Sequence, residues 1–288
     1  MGKMRIVLLE ENFNLRHFDG LQLQCTLRLP QPKGKHRLVL VAPGFLGFKD
    51  WGFFPHLCQQ LCFSGFATLC FTHALAGIRE NPYEITDLET SSNNSTTQEL
   101  NDWELLLDAI LGQRFPLSQY LRVNAFGVMG HSRGGSYGIL MARKIPQIQS
   151  VVTWGAISTF QRFDRETQKR WREQGQLEVG KNFSGKPIEL KVKALDALER
   201  NYDRLDVVRA IRELTIPVLL LHGREDKRVC KKESQKLWER SLRDLSQFDI
   251  IEAAGHSFRT QHSFKSPSQP LTEAVNRTIR WFEKTLHA

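Results

Sequence analysis

The chain has no cysteine pair at C-x-x-C spacing and no Cys/His cluster of zinc-binding spacing, and its cysteines, Cys25, Cys58, Cys62, Cys70 and Cys230, are odd in number. This argues against a disulfide framework and against a structural zinc, and neither a metal ion nor an organic cofactor is expected. Cys58 and Cys62 fall one helical turn apart and Cys70 lies in an apolar run, which fits buried thiols in a reducing compartment. Also missing is any apolar run long enough to span a bilayer. Residues 1–11 carry no long apolar stretch followed by a small-residue cleavage site, so the expectation is no membrane partner and a cytoplasmic location. There is no Arg-rich tail. The formal net charge of +9 arises from 40 Lys+Arg against 31 Asp+Glu scattered along the chain, densest at Arg162 to Arg172 and Lys227 to Lys232, and it argues against nucleic acid as a partner.

What is present is an apolar content of 41% over 288 residues, ample for a large buried core. Met4 to Leu9 and Leu21 to Leu29, separated by Phe18-Asp19-Gly20, read as two antiparallel strands. Leu38 to Ala42, Phe66 to Phe71, Ala125 to Met129, Val151 to Trp154, Val218 to Leu221 and Phe248 to Ile251 are short continuous apolar runs, as strands covered on both faces require. Between most of them, Phe53 to Phe63, Leu100 to Leu111, Ser136 to Lys144, Glu233 to Leu242 and Leu271 to Leu286 space their apolar residues at helical period. The alternation predicts one α/β domain over residues 1–288, a mostly parallel eight-stranded sheet with helices on both faces. Residues 74–98 and 158–201 interrupt it. The second is expected to form a small cap of a helix and a hairpin.

Gly130-His131-Ser132-Arg133-Gly134-Gly135 follows the Ala125 to Met129 run directly and precedes a helical pattern. A sharp strand-to-helix turn holds such a serine in a strained conformation, and glycines flank it because side chains there would strike neighbouring backbone. The helix N-terminus favours negative charge beside the hydroxyl. A Gly-rich loop whose serine merely caps a helix would read the same, so a base and an acid must be found elsewhere. After the Val218 to Leu221 run comes His222-Gly223-Arg224-Glu225-Asp226, and after Phe248 to Ile251 comes Ala254-Gly255-His256-Ser257-Phe258. Ser132 is the expected nucleophile, His256 its base and Asp226 the acid that orients the base.

Glu225 ranks as a solvated neighbour of Asp226, and His262 lacks the preceding Gly turn of His256. His73 and His222 end strands and could line a pocket. The Val151 to Trp154 strand offers no acid until Asp164. Acyl transfer also needs N–H donors aimed at an oxyanion. The backbone N–H of Arg133 is one candidate. Pro43-Gly44-Phe45-Leu46-Gly47 supplies the other, Phe45 first and Leu46 next. Leu46, His131, Trp51 and Trp171 are expected to contact substrate, although aromatic residues at such positions also serve as ordinary core. The basic residues Arg162, Arg165, Lys169, Arg170 and Arg172 either form a solvated lid surface or favour an acidic substrate.

Through Pro43-Gly44-Phe45-Leu46-Gly47, Gly130-His131-Ser132-Arg133-Gly134, His222-Gly223-Arg224-Glu225-Asp226 and Gly255-His256-Ser257-Phe258, nearly the whole chain resembles the α/β-hydrolase superfamily. It looks most like the cytosolic branch with feruloyl and cinnamoyl esterases, dienelactone-hydrolase-like and serine aminopeptidase-like members. Pro43 stands where that branch usually has histidine. The resemblance implies the α/β-hydrolase fold, a Ser-His-Asp acyl-enzyme mechanism and a lid built from residues 158–201. The expected partner is a small-molecule ester or acyl substrate. A peptidase or acyltransferase would use the same residues, and a ligand-binding protein could keep the fold without turnover. A dehalogenase is disfavoured, since that chemistry places a carboxylate where Ser132 stands.

Overall fold

The structure is a computed structural model and describes residues 8–31 and 34–287. The strands are β1 (Leu9–Arg16), β2 (Gln22–Leu29), β3 (His36–Ala42), β4 (Phe66–Thr72), β5 (Leu121–His131), β6 (Ile148–Trp154), β7 (Gln176–Lys181), β8 (Pro187–Lys191), β9 (Val218–Gly223) and β10 (Ser246–Ile251). The helices are α1 (Phe54–Phe63), α2 (Leu88–Ser92), α3 (Thr96–Leu111), α4 (Arg133–Lys144), α5 (Arg165–Gln174), α6 (Lys193–Arg200), α7 (Val207–Glu213), α8 (Lys232–Arg240) and α9 (Gln269–Thr285). Eight strands form one sheet in the order β1-β2-β4-β3-β5-β6-β9-β10, in which β2 alone runs against its neighbours. This is the expected mostly parallel eight-stranded sheet, with helices on both faces.

Period-two side-chain direction explains why the central strands are apolar throughout. Leu38 and Leu40 of β3, with Val218 and Leu220 of β9, pack into a core shared with α3, α4, α7 and α8. The intervening Val39, Val41, Leu219 and Leu221 face the other way, against α1 and α9. Each such side chain contributes about 1.5–3 kcal/mol on full burial.

The first strand departs from expectation. Residues 4–7 of the expected Met4 to Leu9 strand lie outside the described residues, and β1 runs from Leu9 to Arg16 instead. It is an edge strand, half-covered on the face of Leu9, Glu11, Phe13 and Leu15 and exposed at Glu10, Asn12 and Asn14, so alternation and not a continuous apolar run marks it. Helix α3 begins four residues before the expected Leu100, where the Ser95 hydroxyl accepts from the Gln98 N–H. Among the described residues, no helix is long and apolar enough to cross a membrane.

Residues 158–201 hold α5, the β7–β8 hairpin and α6, with a small core of their own around Trp171, Leu177, Leu190, Ala194 and Leu195. The hairpin pairs with itself and not with the main sheet. In the sheet, His131 pairs with Trp154, Trp154 with Leu221 and Gly223 with Ile251, so β9 and β10 end together, about two residues past the ends of β5 and β6. The loops that leave them therefore converge.

Candidate active site

Ser132 stands between β5 and α4 with φ 53° and ψ −125°, a conformation that L residues rarely adopt and that costs on the order of 1–3 kcal/mol. Its N–H donates to the Trp154 carbonyl at 2.7 Å, and the surrounding glycines leave no alternative path. A Cβ on Gly130 would lie 2.4 Å from the Gly134 backbone, and one on Gly134 would lie 2.3 Å from the Pro43 carbonyl oxygen. The turn is thus fixed by contact with both its own helix and the loop after β3.

Asp226 lies three residues beyond β9 and His256 five beyond β10. The His256 Nδ1 meets Asp226 Oδ2 at 2.7 Å, while Asp226 Oδ1 accepts the N–H groups of Arg228 and Val229, each at 2.9 Å. The carboxylate is 1% exposed. Burial alone would raise its pKa, but hydrogen bonds from His222, His256 and the Val229 N–H outweigh it and hold the group far below the usual carboxylate range. It is therefore ionised, and an anion at Oδ2 keeps the imidazole proton on Nδ1, which leaves Nε2 as the basic nitrogen. Gly155, at the end of β6, floors the pair: a Cβ there would sit 3.3 Å from Asp226 Oδ2 and 3.4 Å from His256 Nδ1. Neither Ser132 Oγ nor His256 Nε2 makes a hydrogen bond among the described residues, and both side chains open on one cavity.

Two further histidines support this pair. His222, fully buried, directs Nε2 at the Val229 carbonyl (2.9 Å) and at Asp226 Oδ2 (3.2 Å), and its Nδ1 meets the Ser234 hydroxyl at 2.7 Å. The expectation that it lines the pocket is corrected: it lies beneath Asp226 and fixes the acid loop. His131 directs Nε2 at the His256 carbonyl at 2.9 Å and packs its ring 4.6 Å from that of His256. Burial, and then the charge of His256, push it down to about 3, so it is a neutral wall behind His256. His73 is likewise absent from the cavity and holds Asp102, at 2.9 Å, on the far side of β4. His262 has both nitrogens engaged, Nδ1 by the Gly52 N–H at 2.9 Å and Nε2 by the Tyr83 carbonyl at 2.8 Å.

The loop after β3 lies across the top of Ser132. The Phe45 N–H has no acceptor among the described residues, and the Arg133 N–H, in the first turn of α4, has no intrahelical one. The Phe45 ring lies 4.2 Å beneath the Arg133 guanidinium, which also meets buried Glu99 at 3.2 Å. Glu99 in turn accepts from the Tyr137 hydroxyl at 2.8 Å. This network ties the loop to α3 and α4 across long sequence separations, and no local motif announces it.

The cavity measures about 480 Å³. Leu46, Phe48, Trp51 and Phe54 wall one side, Val179, Gly180, Lys181 and Phe183 of the cap hairpin another, and His131, Ser132, His256 and Arg228 the floor and rim. Trp171 does not reach it. Its ring is fully buried in the cap and its Nε1 donates to the Leu190 carbonyl at 2.8 Å, which corrects the expectation of substrate contact. The basic residues of α5 also point elsewhere: Arg172 pairs with Asp196 and Glu199, and Lys169 with Glu173. The hairpin tip is fastened to residues 83–85 and to His262. Asn182 Nδ2 donates to the Ile85 carbonyl at 3.0 Å, the Ser184 N–H donates to Glu84 at 2.6 Å, and Phe183 stacks on His262 at 4.6 Å. Among the described residues, no three His, Cys, Asp or Glu side chains converge as a metal site requires.

Comparison with known proteins fits this geometry. The chain is 25% identical over 211 residues to the 2,6-dihydropseudooxynicotine hydrolase of Paenarthrobacter nicotinovorans, covering 72% of this chain and 49% of that protein, so it spans about half the relative's length. Est1E from Butyrivibrio proteoclasticus, solved with ferulic acid bound, superposes with a TM-score of 0.71 at 17% identity, covering 95% of this chain and 99% of that one. The esterase domain of a Rhodothermus marinus protein gives 0.64 at 19% identity, covering 97% and 100%. Residues 38–265, from β3 past the loop of His256, match the Alpha/beta hydrolase family. The chain belongs to that family.

Proposed function

We propose that the chain is a serine hydrolase that cleaves a small-molecule carboxylic ester, or thioester, through an acyl-enzyme. His256 takes the proton of Ser132 as Oγ attacks the carbonyl carbon, and the N–H groups of Phe45 and Arg133 hold the oxyanion. His256 then returns the proton to the departing alcohol or thiol. Water, deprotonated by His256, attacks the acyl carbon, and collapse of the second tetrahedral intermediate releases the acid and restores the serine hydroxyl. Asp226 keeps the imidazole in the required tautomer and stabilises the imidazolium.

One observation carries this reading: His256, held on an ionised Asp226 at 2.7 Å, opens on the same cavity as a serine in a strained turn at a helix N-terminus. Family membership, with esterase and hydrolase relatives, supports hydrolysis. Leu46, Phe48, Trp51, Phe54 and Ile188 on the cavity walls suit an acyl or aryl group, and residues 158–201 act as its lid. The test is initial-rate hydrolysis of short and medium para-nitrophenyl esters by the protein and by its Ser132→Ala variant. Turnover that vanishes in the variant is the expected result. Equal rates in both would remove Ser132 from the mechanism, and turnover of amides alone would make the chain a peptidase.

A further inference from the structure

Among the described residues, some basic residues of the cap are held in ion pairs and others, Arg165 and Arg170 among them, are not, so what distinguishes a cation here is whether it stands on the cavity. Around the cap, Arg162 is paired with Glu233, Arg172 with Asp196 and Glu199, and Lys191 with Glu89. Arg133, beside the serine, is paired with Glu99. The two cations on the cavity itself, Lys181 at the end of β7 and Arg228 two residues beyond Asp226, form no ion pair among the described residues, and no aspartate or glutamate lines the cavity with them. Both are exposed, one on the cap hairpin and one on the acid loop, and Phe48, Trp51 and Phe54 line the same cavity. The positive charge of Arg228 is felt as far in as His131, where it disfavours protonation. Low-dielectric walls concentrate the field of such charges at the mouth and draw in the opposite sign.

We infer that the cavity selects esters in which an apolar body carries an anionic group, a carboxylate above all, away from the scissile carbonyl, with Lys181 and Arg228 as the residues that read the charge. This rests on the hydrolase reading above. The two cations share the cavity with Ser132 and form no hydrogen bond with Ser132 or His256, so they act on capture and orientation of the substrate and are expressed mainly in KM.

Two matched substrate pairs test it. The para-nitrophenyl half-ester of glutaric acid against para-nitrophenyl pentanoate places the charge on the acyl side, and para-acetoxybenzoate against para-tolyl acetate places it on the leaving group. The expected result is a kcat/KM preference of about tenfold for the charged member of at least one pair, shrinking with added salt. The preference should collapse in Lys181→Met and Arg228→Met, and the ratio within each variant cancels any change common to both substrates. Arg228→Met retains the backbone N–H that Asp226 accepts. A ratio that is the same in wild type and in both variants would overturn the inference. Labelling of Ser132 by a neutral fluorophosphonate separates the layers: labelling without charge preference sinks the inference alone, whereas neither labelling nor turnover sinks the hydrolase reading and the inference with it.

Discussion

Gly44 lies against Ser132 with no room for a side chain: a Cβ there would come within 2.9 Å of the Ser132 Cβ and 3.0 Å of the His131 carbonyl oxygen. Both neighbours are held, Ser132 by its bond to Trp154 and His131 by its place in β5, so the loop would have to move instead. Gly44→Ala is expected to lift the Phe45 N–H away from the developing oxyanion and to lower kcat by roughly 10²-fold, the usual effect of losing one donor. Steady-state kinetics check it, and an unchanged kcat would show that Phe45 is not a donor.

The buried His222 serves Asp226 and not the substrate. Leucine in its place leaves the Ser234 hydroxyl and the Val229 carbonyl without their partner, which costs about 1–3 kcal/mol of stability. Asp226 keeps His256, so activity should fall far less than the roughly 10⁴-fold expected of Asp226→Asn. Equal losses in the two variants would mean that His222 takes part in the proton transfers. Denaturant unfolding and kcat measured on both decide it.

The neutral His131 makes stability depend on pH. An unfolded histidine titrates near 6.5, whereas burial and the charge of His256 push this one down to about 3. Between those values the unfolded chain binds a proton that the native chain does not. The contribution is therefore fully present above the unfolded value and is lost as pH falls toward the folded one. From about pH 7.5 to about pH 5, wild type should lose on the order of 1–2 kcal/mol more than His131→Gln. Parallel pH curves would show that folding does not lower the pKa of His131.

The sheet, and the meeting of Ser132, Asp226 and His256 beyond its strand ends, are legible because each sits where two local signals coincide, a continuous apolar run and the Gly-containing turn that ends it. Edge strand β1 is not, since one covered face produces alternation, and its polar residues mask the apolar ones. The supports of the site were hidden for another reason. His222 and Asp226 are four apart yet meet by way of a loop, and Glu99 of α3 reaches Arg133 and Tyr137 of α4 across 34 and 38 residues of sequence. Trp171 was misassigned because an aromatic residue near a Gly-rich segment looks the same whether it faces a ligand or a local core.

That local core is small, which sets up a separable failure. Trp171→Ala removes the largest side chain of the cap core and the bond to Leu190, a loss of about 3–5 kcal/mol. The cap should open before the main sheet unfolds. Limited proteolysis should cut within residues 158–201 while the Tm of the remainder moves little. Cleavage spread over the whole chain would show that cap and sheet unfold as one.

The β7–β8 hairpin gives no strand to the main sheet, and its tip is fastened to residues 83–85 and His262. The hairpin's share of the cavity lining can therefore be rebuilt without altering a strand of the main sheet. A library built to change what the protein accepts would begin at residues 179–183 and 83–85, and leave the strand ends alone.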